Sequence, residues 1–164
     1  MGERLEGAEA IIKTGRKLRT AIVIRVQNPD ATTARRYAKH AESMGADAII
    51  SLPPSEHSDP QTDLEYYKAI GGATALPLFV QAVANMSVNL LIEMYKAIPT
   101  FRFAKDEAGN PLMSIAALRQ RSSNQLNILS GNRGDAATIF RQYAGRLLRR
   151  SLRANLGSLA RGQT

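Results

Sequence analysis

Few side chains in this sequence could carry covalent or acid–base chemistry. The 164 residues contain no cysteine and only two histidines. The lack of cysteine excludes disulfides, thiolate catalysis and cysteine-ligated metal centres, and two histidines make a poor metal-ligand set. Aromatic residues are only 5 % of the chain and tryptophan is absent, which disfavours stacking on nucleic-acid bases or sugars.

Lys105 lies where a lysine could carry out carbonyl chemistry. It ends an apolar run, and the ends of strands are where parallel barrels place their functional groups. Burial would favour the neutral amine, which can attack a carbonyl carbon. The alternative interpretation is a solvated charge cluster, Lys105-Asp106-Glu107, where a strand meets its loop. The apolar residues expected to bury the lysine are Phe101, Phe103 and Ala104.

Short apolar runs of strand length alternate with longer segments of helical period. The runs begin near residues 20, 46, 76, 100 and 125, at separations of 26, 30, 24 and 25 residues. Each separation fits one strand plus one covering helix. Near-continuous apolar strands are typical of a parallel sheet that is buried on both faces. The predicted strands lie within 20–26, 46–52, 76–80, 100–105 and 125–129.

The helical segments carry recognisable start and stop signals. Apolar residues recur at helical spacing after Asn-Pro-Asp at 28–30, and Gly45 follows at a position typical of a left-handed cap. A capping side chain also precedes a proline at 59–60 and at 110–111. The apolar face of the first helix comprises Ala34, Tyr37, Ala38, Ala41 and Met44.

These elements predict an α/β fold of repeated βα units. A closed (β/α)8 TIM barrel needs eight strands and typically ~250 residues. The chain therefore forms either an open doubly wound sheet or a partial (β/α)8 barrel of about five parallel strands. The segment 27–30 after the first strand has no glycine-rich phosphate-loop spacing, so nucleotide binding by such a loop is not expected.

The positive charge of the chain is concentrated at its end. Residues 131–164 contain seven arginines and one acid, a net charge of +6, whereas residues 1–130 contain 15 basic and 13 acidic residues, a net charge of +2. We divide the chain into a body, residues 1–134, and a basic tail, residues 135–164. The tail is interpreted as a basic amphipathic helix that binds an acidic surface, nucleic acid or anionic lipid, as a cover for the sheet edge, or as a frame-shift product.

Five motifs follow one another along the body. They are GADAIISLPP at 45–54, LEYYKAI at 64–70, LPLF at 76–79, FAKDEAGN at 103–110 and ILSG at 128–131. In order and spacing they resemble the dihydrodipicolinate synthase / N-acetylneuraminate lyase family, over roughly residues 17–134. The resemblance implies a (β/α)8 barrel of class I lyases, of which this chain is a truncated and divergent member with strands three to seven.

The resemblance implies that Lys105 forms a Schiff base with pyruvate or another 2-oxo acid, without a cofactor. The protonated imine then acts as an electron sink while the adjacent carbon–carbon bond breaks or forms. Ser130 and Gly131 end the last matched strand, and Asn85 lies near the position of the family's carboxylate-binding arginine. These three are the expected substrate-binding residues.

The proton relay of the family is altered in this sequence. Gln81 replaces the tyrosine of the fifth barrel strand, and Ser55-Glu56 replaces a tyrosine pair. Because glutamine does not ionise near working pH, dihydrodipicolinate synthesis itself is not expected. Gln81 is expected to bind a substrate hydroxyl or carboxylate, or to fill a strand end. Either Glu56 or His57 is expected to act as an acid or base near the lysine. The alternative interpretation is that both belong to a polar turn that leads into a helix.

Two functions remain open for the body of the chain, beside nucleic-acid binding by the tail. The first is a Schiff-base-forming lyase or aldolase with Lys105, Gln81 and Glu56 as catalytic residues; the alternative is a catalytically inactive fragment that acts as a scaffold or interaction protein.

Open sheet edges predict a homo-oligomer. No apolar run approaches the ~18 residues of a membrane span, and the acidic start differs from a signal peptide. A cytoplasmic protein without a membrane or nucleic-acid partner is expected. Tyr66 and Tyr67 are expected to pack in the core or between subunits.

Overall fold

The computed structural model describes residues 2–55, 58–83, 86–107 and 111–130. Within these ranges helices and strands alternate, and each predicted apolar run overlaps one strand, which confirms the predicted βα repeat. The helices are α1 Gly2–Lys17, α2 Ala31–Met44, α3 Pro60–Gly71, α4 Val88–Ala97 and α5 Pro111–Arg121. The strands are β1 Val23–Arg25, β2 Ala48–Ser51, β3 Leu78–Ala82, β4 Phe101–Asp106 and β5 Asn127–Ser130.

The described strands form one parallel sheet in the order β1-β2-β3-β4-β5. Each strand therefore pairs with its neighbours in sequence, as in a (β/α) barrel, whereas a doubly wound sheet reverses its strand order at a switch point. Of the two predicted arrangements, the structure shows the partial barrel. The α/β fold class is confirmed.

The predicted helix signals operate as expected in α2 and α3. Asp30 caps α2 by accepting hydrogen bonds from the backbone N–H groups of Thr32 and Thr33 at 3.2 and 2.9 Å. Asp59 caps α3 in the same way. Gly45 ends α2 in the left-handed conformation, with a φ of 83°.

One residue of the predicted apolar face of α2 is misassigned. Met44 is 36 % exposed, whereas Ala34, Tyr37, Ala38 and Ala41 are buried. At about 100° per residue, Met44 lies at the margin of the stripe that the other four residues form. The prediction was therefore wrong for the last turn of the helix.

The hydrophobic core lies between the sheet and the helices. Tyr67 of α3 is fully buried there, and its hydroxyl donates a hydrogen bond to the carbonyl oxygen of Ser51 at 2.9 Å. Tyr66 is also buried, with its hydroxyl 3.3 Å from the Ser51 hydroxyl. The packing role predicted for both tyrosines is confirmed. Sheet residues in this core include Ile24, Ile49, Leu78, Val80 and Ala104.

The opposite face of the sheet, here called the open face, carries alternate strand residues that are much more exposed. Val23 of β1 and Leu129 of β5 are 41 % and 48 % exposed. In a closed barrel this face points to the interior. Within the described ranges no helix is long and apolar enough to cross a membrane.

Candidate active site

Three side chains form a row at the carboxyl end of the open face. The strand register pairs Gln81 of β3 with Lys105 of β4, and Lys105 with Leu129 of β5. Paired residues on neighbouring parallel strands project to the same side of a sheet. The sheet therefore brings Gln81 and Lys105 together at the end where barrels of this kind hold their chemistry.

Glu107 connects Lys105 and Gln81 through its two carboxylate oxygens. The Nζ atom of Lys105 is 2.7 Å from Oε1, and the Nε2 group of Gln81 donates to Oε2 at 2.5 Å. The backbone N–H of Glu107 donates to the carbonyl oxygen of Ala82 at 2.9 Å, which extends the β3–β4 pairing past the end of β4. The side chains of Gln81, Lys105 and Glu107 are here called the strand-end cluster.

The neighbours of Glu107 in the strand-end cluster favour the ionised form of its carboxyl group. The pKa of Glu107 is lowered from its usual value, first by the hydrogen bond from Lys105 and then by the one from Gln81. Partial burial opposes this shift. Glu107 is therefore a carboxylate at neutral pH. The side chains of Lys105 and Glu107 are 36 % and 29 % exposed, so a small solute can reach them.

A stacked aromatic pair lies one row below the cluster on the open face. The rings of Phe79 and Phe103 are 4.1 Å apart between centroids and 7° from parallel. The β3–β4 register shifts here, since Leu78 pairs with Phe101 but Phe79 pairs with Phe103. This bulge places Phe101 on the helix-covered face and Phe103 on the open face. The aromatic pair gives the cluster an apolar floor.

The predicted burial of Lys105 is wrong. Phe101 and Ala104 are buried on the helix-covered face, where Phe101 packs edge-on against Tyr95 of α4. Strand alternation and the bulge separate these two residues from the lysine, so that Phe103 alone of the three expected neighbours shares its face. Lys105 is paired with a carboxylate instead of being enclosed by apolar side chains.

The other predicted site residues are described only in part. Glu56, Asn85 and Gly131 lie outside the described residues, and so do His57 and the basic tail. The backbone of Ser130 pairs with that of Asp106. Across the described ranges, no three histidine, cysteine, aspartate or glutamate side chains come close enough together to bind a metal ion.

The sequence pattern does not single out Glu107 as a candidate site residue. The acids after Lys105 were expected to lie together in one solvated charge cluster. The two acids in fact point in opposite directions. Asp106 is buried and accepts a hydrogen bond from Ser114 of α5, whereas Glu107 faces Lys105. The period of two along a strand would have placed residues 105 and 107 on the same side.

The parallel βα architecture is that of part of a (β/α) barrel, with Lys105 at the carboxyl end of one of its strands. A 4-hydroxy-tetrahydrodipicolinate synthase of Rhizobium meliloti (strain 1021) is 30 % identical over 134 residues, which are 77 % of this chain and 45 % of the relative. The synthase of Sphingopyxis alaskensis is 28 % identical over 120 residues, 70 % of this chain and 40 % of the relative. The chain thus spans less than half the length of these relatives.

Solved structures agree with this relationship. The dihydrodipicolinate synthase of Agrobacterium tumefaciens matches 79 % of this chain with 46 % of its own, at a TM-score of 0.67 and 26 % identity. A prophage protein of the dihydrodipicolinic acid synthase family from E. coli K12, solved in complex with pyruvate, has a TM-score of 0.72 but 16 % identity, a likeness of fold alone. No protein-family profile matches the sequence. The chain is homologous to the 4-hydroxy-tetrahydrodipicolinate synthases, which confirms the resemblance seen in its motifs.

Proposed function

We propose that this chain is a Schiff-base-forming lyase or aldolase that acts on pyruvate or another 2-oxo acid. The observation that carries the proposal is Lys105 at the carboxyl end of β4, beside Gln81, in a chain homologous to 4-hydroxy-tetrahydrodipicolinate synthases. The pyruvate complex of the E. coli prophage protein supports the choice of ligand class.

In the proposed mechanism the Lys105 amine attacks the keto carbon of the substrate. Loss of water gives a protonated imine, which withdraws electrons from the neighbouring carbon and stabilises the carbanion that forms or breaks the carbon–carbon bond. Gln81 lies on the adjacent strand and is proposed to hydrogen-bond a substrate hydroxyl or carboxylate. The stacked rings of Phe79 and Phe103 would form an apolar floor beneath the substrate.

Residues that follow the strands in the sequence are proposed to supply the remaining contacts. Asn85, Ser130 and Gly131 are proposed to bind the substrate, and Glu56 to act as an acid or base. Gln81 has no ionisable group to replace a phenol, so we do not assign dihydrodipicolinate synthesis itself to this chain.

A second candidate function is that of a scaffold that has lost its activity. Two observations favour it: Lys105 is tied to Glu107 in an ion pair, and exposed apolar residues remain on the open face. Among the described strands, β1 and β5 also lie at the sheet edges, and unpaired strand edges invite association. We therefore propose a homo-oligomer under either function.

Reductive trapping separates the two functions. The folded chain is incubated with pyruvate or other 2-oxo acids in the presence of borohydride, and its intact mass is measured. We expect one reduced adduct per chain, which disappears in Lys105→Ala because the attacking amine is gone. Circular dichroism establishes that each variant is folded.

Lys68→Ala is the matched control for this experiment. Lys68 also forms a lysine–glutamate ion pair, with Glu65 at 3.0 Å, and its side chain is 40 % exposed. Its loss should leave the adduct unchanged. A folded parent chain that forms no adduct, or an adduct that survives in Lys105→Ala, would refute the lyase proposal and leave the scaffold.

A further inference from the structure

Schiff-base chemistry requires proton transfers that neither Lys105 nor Gln81 can complete. The lysine must lose one proton to become a nucleophile and a second after it has attacked, and the carbonyl oxygen must gain two to leave as water. An amide such as Gln81 does not exchange protons at useful rates. The structure therefore raises the question of which group beside the amine moves these protons.

Glu107 has the geometry for that role. Its Oε1 is 2.7 Å from the Nζ of Lys105, within the ~2.6–3.2 Å reach that direct proton transfer needs. Its Oε2 accepts a hydrogen bond from Gln81, and its backbone is fixed to Ala82 of β3. The carboxylate is thus held at the reacting nitrogen from two neighbouring strands.

The alternative acid, Asp106, is turned away from the cluster. It is 1 % exposed, on the helix-covered face, and takes a hydrogen bond from Ser114 of α5. A carboxylate in that position cannot reach a substrate bound to Lys105. Residue 107 is therefore the acid on this segment that meets the amine.

We propose that Glu107 is the general acid and base for imine formation at Lys105, in place of a tyrosine relay. This inference rests on the proposed function, because it assigns a proton-transfer group to the same Schiff-base site. Gln81 then acts as a positioning residue that orients the carboxylate, in addition to any contact with substrate.

The proton balance of imine formation closes with this single carboxylate. Glu107 first takes one proton from the Lys105 ammonium, and the free amine attacks the keto carbon while the carbonyl electron pair moves to oxygen. Glu107 gives that proton to the oxygen, then takes a second from nitrogen to leave a neutral carbinolamine. It returns the second proton to the hydroxyl, which departs as water as the nitrogen lone pair forms the carbon–nitrogen double bond. The products are a protonated imine, one water and ionised Glu107.

The same carboxylate can then remove a proton from the carbon next to the imine. The electron pair of the broken carbon–hydrogen bond forms the enamine double bond, and the imine electrons return to nitrogen. In heavy water this step exchanges the methyl protons of pyruvate for deuterium, and no second substrate is needed. The exchange is therefore a direct readout of proton transfer at the site.

The test compares the parent chain with Glu107→Gln, using pyruvate in heavy water followed by NMR, and reductive trapping followed by mass spectrometry. Glutamine keeps the size and the hydrogen-bonding oxygen but cannot carry a proton. We expect exchange and trapping to slow by about 100-fold or more, within the range typical of general acid–base catalysis. Glu65→Gln, which alters the ion pair with Lys68, should keep the parent rates.

Chemical rescue distinguishes proton transfer from a structural effect. In Glu107→Ala, added formate can occupy the vacated space and restore exchange in a concentration-dependent way, while the adduct remains on Lys105. A parent that exchanges and traps normally while Glu107→Gln stays within twofold of it would overturn this inference and leave the lyase proposal intact. A folded parent that forms no adduct would overturn both.

Discussion

The ion pair between Lys105 and Glu107 should make stability depend on pH in a defined direction. Because the pKa of Glu107 is lowered in the folded chain, the folded protein binds this proton less readily than the unfolded chain. The pair therefore contributes stability above the usual glutamate pKa, and that contribution is lost as the pH falls through the lowered folded pKa.

Glu107→Gln should accordingly be less stable than the parent near neutral pH, by roughly 0.2–1 kcal/mol for a partly exposed pair. The difference should shrink in acid, because the contribution of the ionised carboxylate is lost as the pH falls through the lowered folded pKa. Urea unfolding near neutral pH and near pH 3 measures both values. An equal difference at the two pH values would show that ionisation of Glu107 does not stabilise the fold.

At the scale of elements, the bulge in β4 matters most for the site. It changes which residues of one short strand face the helices, so that Phe101 enters the core while Phe103 and Lys105 face the other way. Without the bulge, Phe101 and Phe103 would share one face by simple alternation. Strand β4 therefore contributes Phe101 to the hydrophobic core and Phe103 to the apolar floor of the candidate site.

The left-handed backbone conformation of Gly45, which ends α2, can be tested by substitution. Gly45 has a φ of 83°, and a Cβ atom there would lie 1.7 Å from the Nη2 of Arg16. We expect Gly45→Ala to destabilise the fold by more than about 1 kcal/mol, because alanine pays for the left-handed conformation and Arg16 must move.

Gly7→Ala is the matched control for Gly45→Ala. Gly7 lies within α1 and a Cβ atom there would meet nothing within 4 Å. Alanine should stabilise this helical position by roughly 0.5–1 kcal/mol. Urea unfolding of both variants gives the comparison; if the two alanines shift stability in the same direction, the assignment of Gly45 as a left-handed cap is incorrect.

At the scale of the whole molecule, the open face and the two edge strands dominate the expected behaviour. A barrel closes by pairing its first and last strands, whereas β1 and β5 are not paired with each other here. Exposed apolar side chains favour association, and so do the edges of β1 and β5, which pair with no further strand in the described part of the chain. The proposed homo-oligomer follows from these two features together.

Light scattering after size-exclusion chromatography should give a mass of at least two chains, each of 17.9 kDa. Leu129→Lys places a charge on the open face, where Leu129 is 48 % exposed, and should lower the measured mass. Met113→Lys is the control, since Met113 is 71 % exposed on α5. A parent that elutes as a monodisperse monomer would contradict the oligomer.

The order of the elements and their approximate bounds follow from patterns that are local in the sequence. Apolar runs of strand length and capping pairs such as Asp59-Pro60 report local preferences, and local preferences decide where helices and strands begin. The motifs around 45–54 and 103–110 further indicated the family, and the resemblance made Lys105 the candidate Schiff-base lysine. The sequence also indicated Gln81 as the residue that stands where a tyrosine was expected.

The tertiary structure alone decided what surrounds Lys105. Burial among apolar neighbours was the natural expectation from a one-dimensional run, but a bulge changes the facing of Phe101, and such a register shift arises from pairing with β3. The contact between Glu107 and Gln81 joins residues 26 positions apart in the chain. No local preference encodes that distance; it exists because two parallel strands end side by side and hold both side chains on one face.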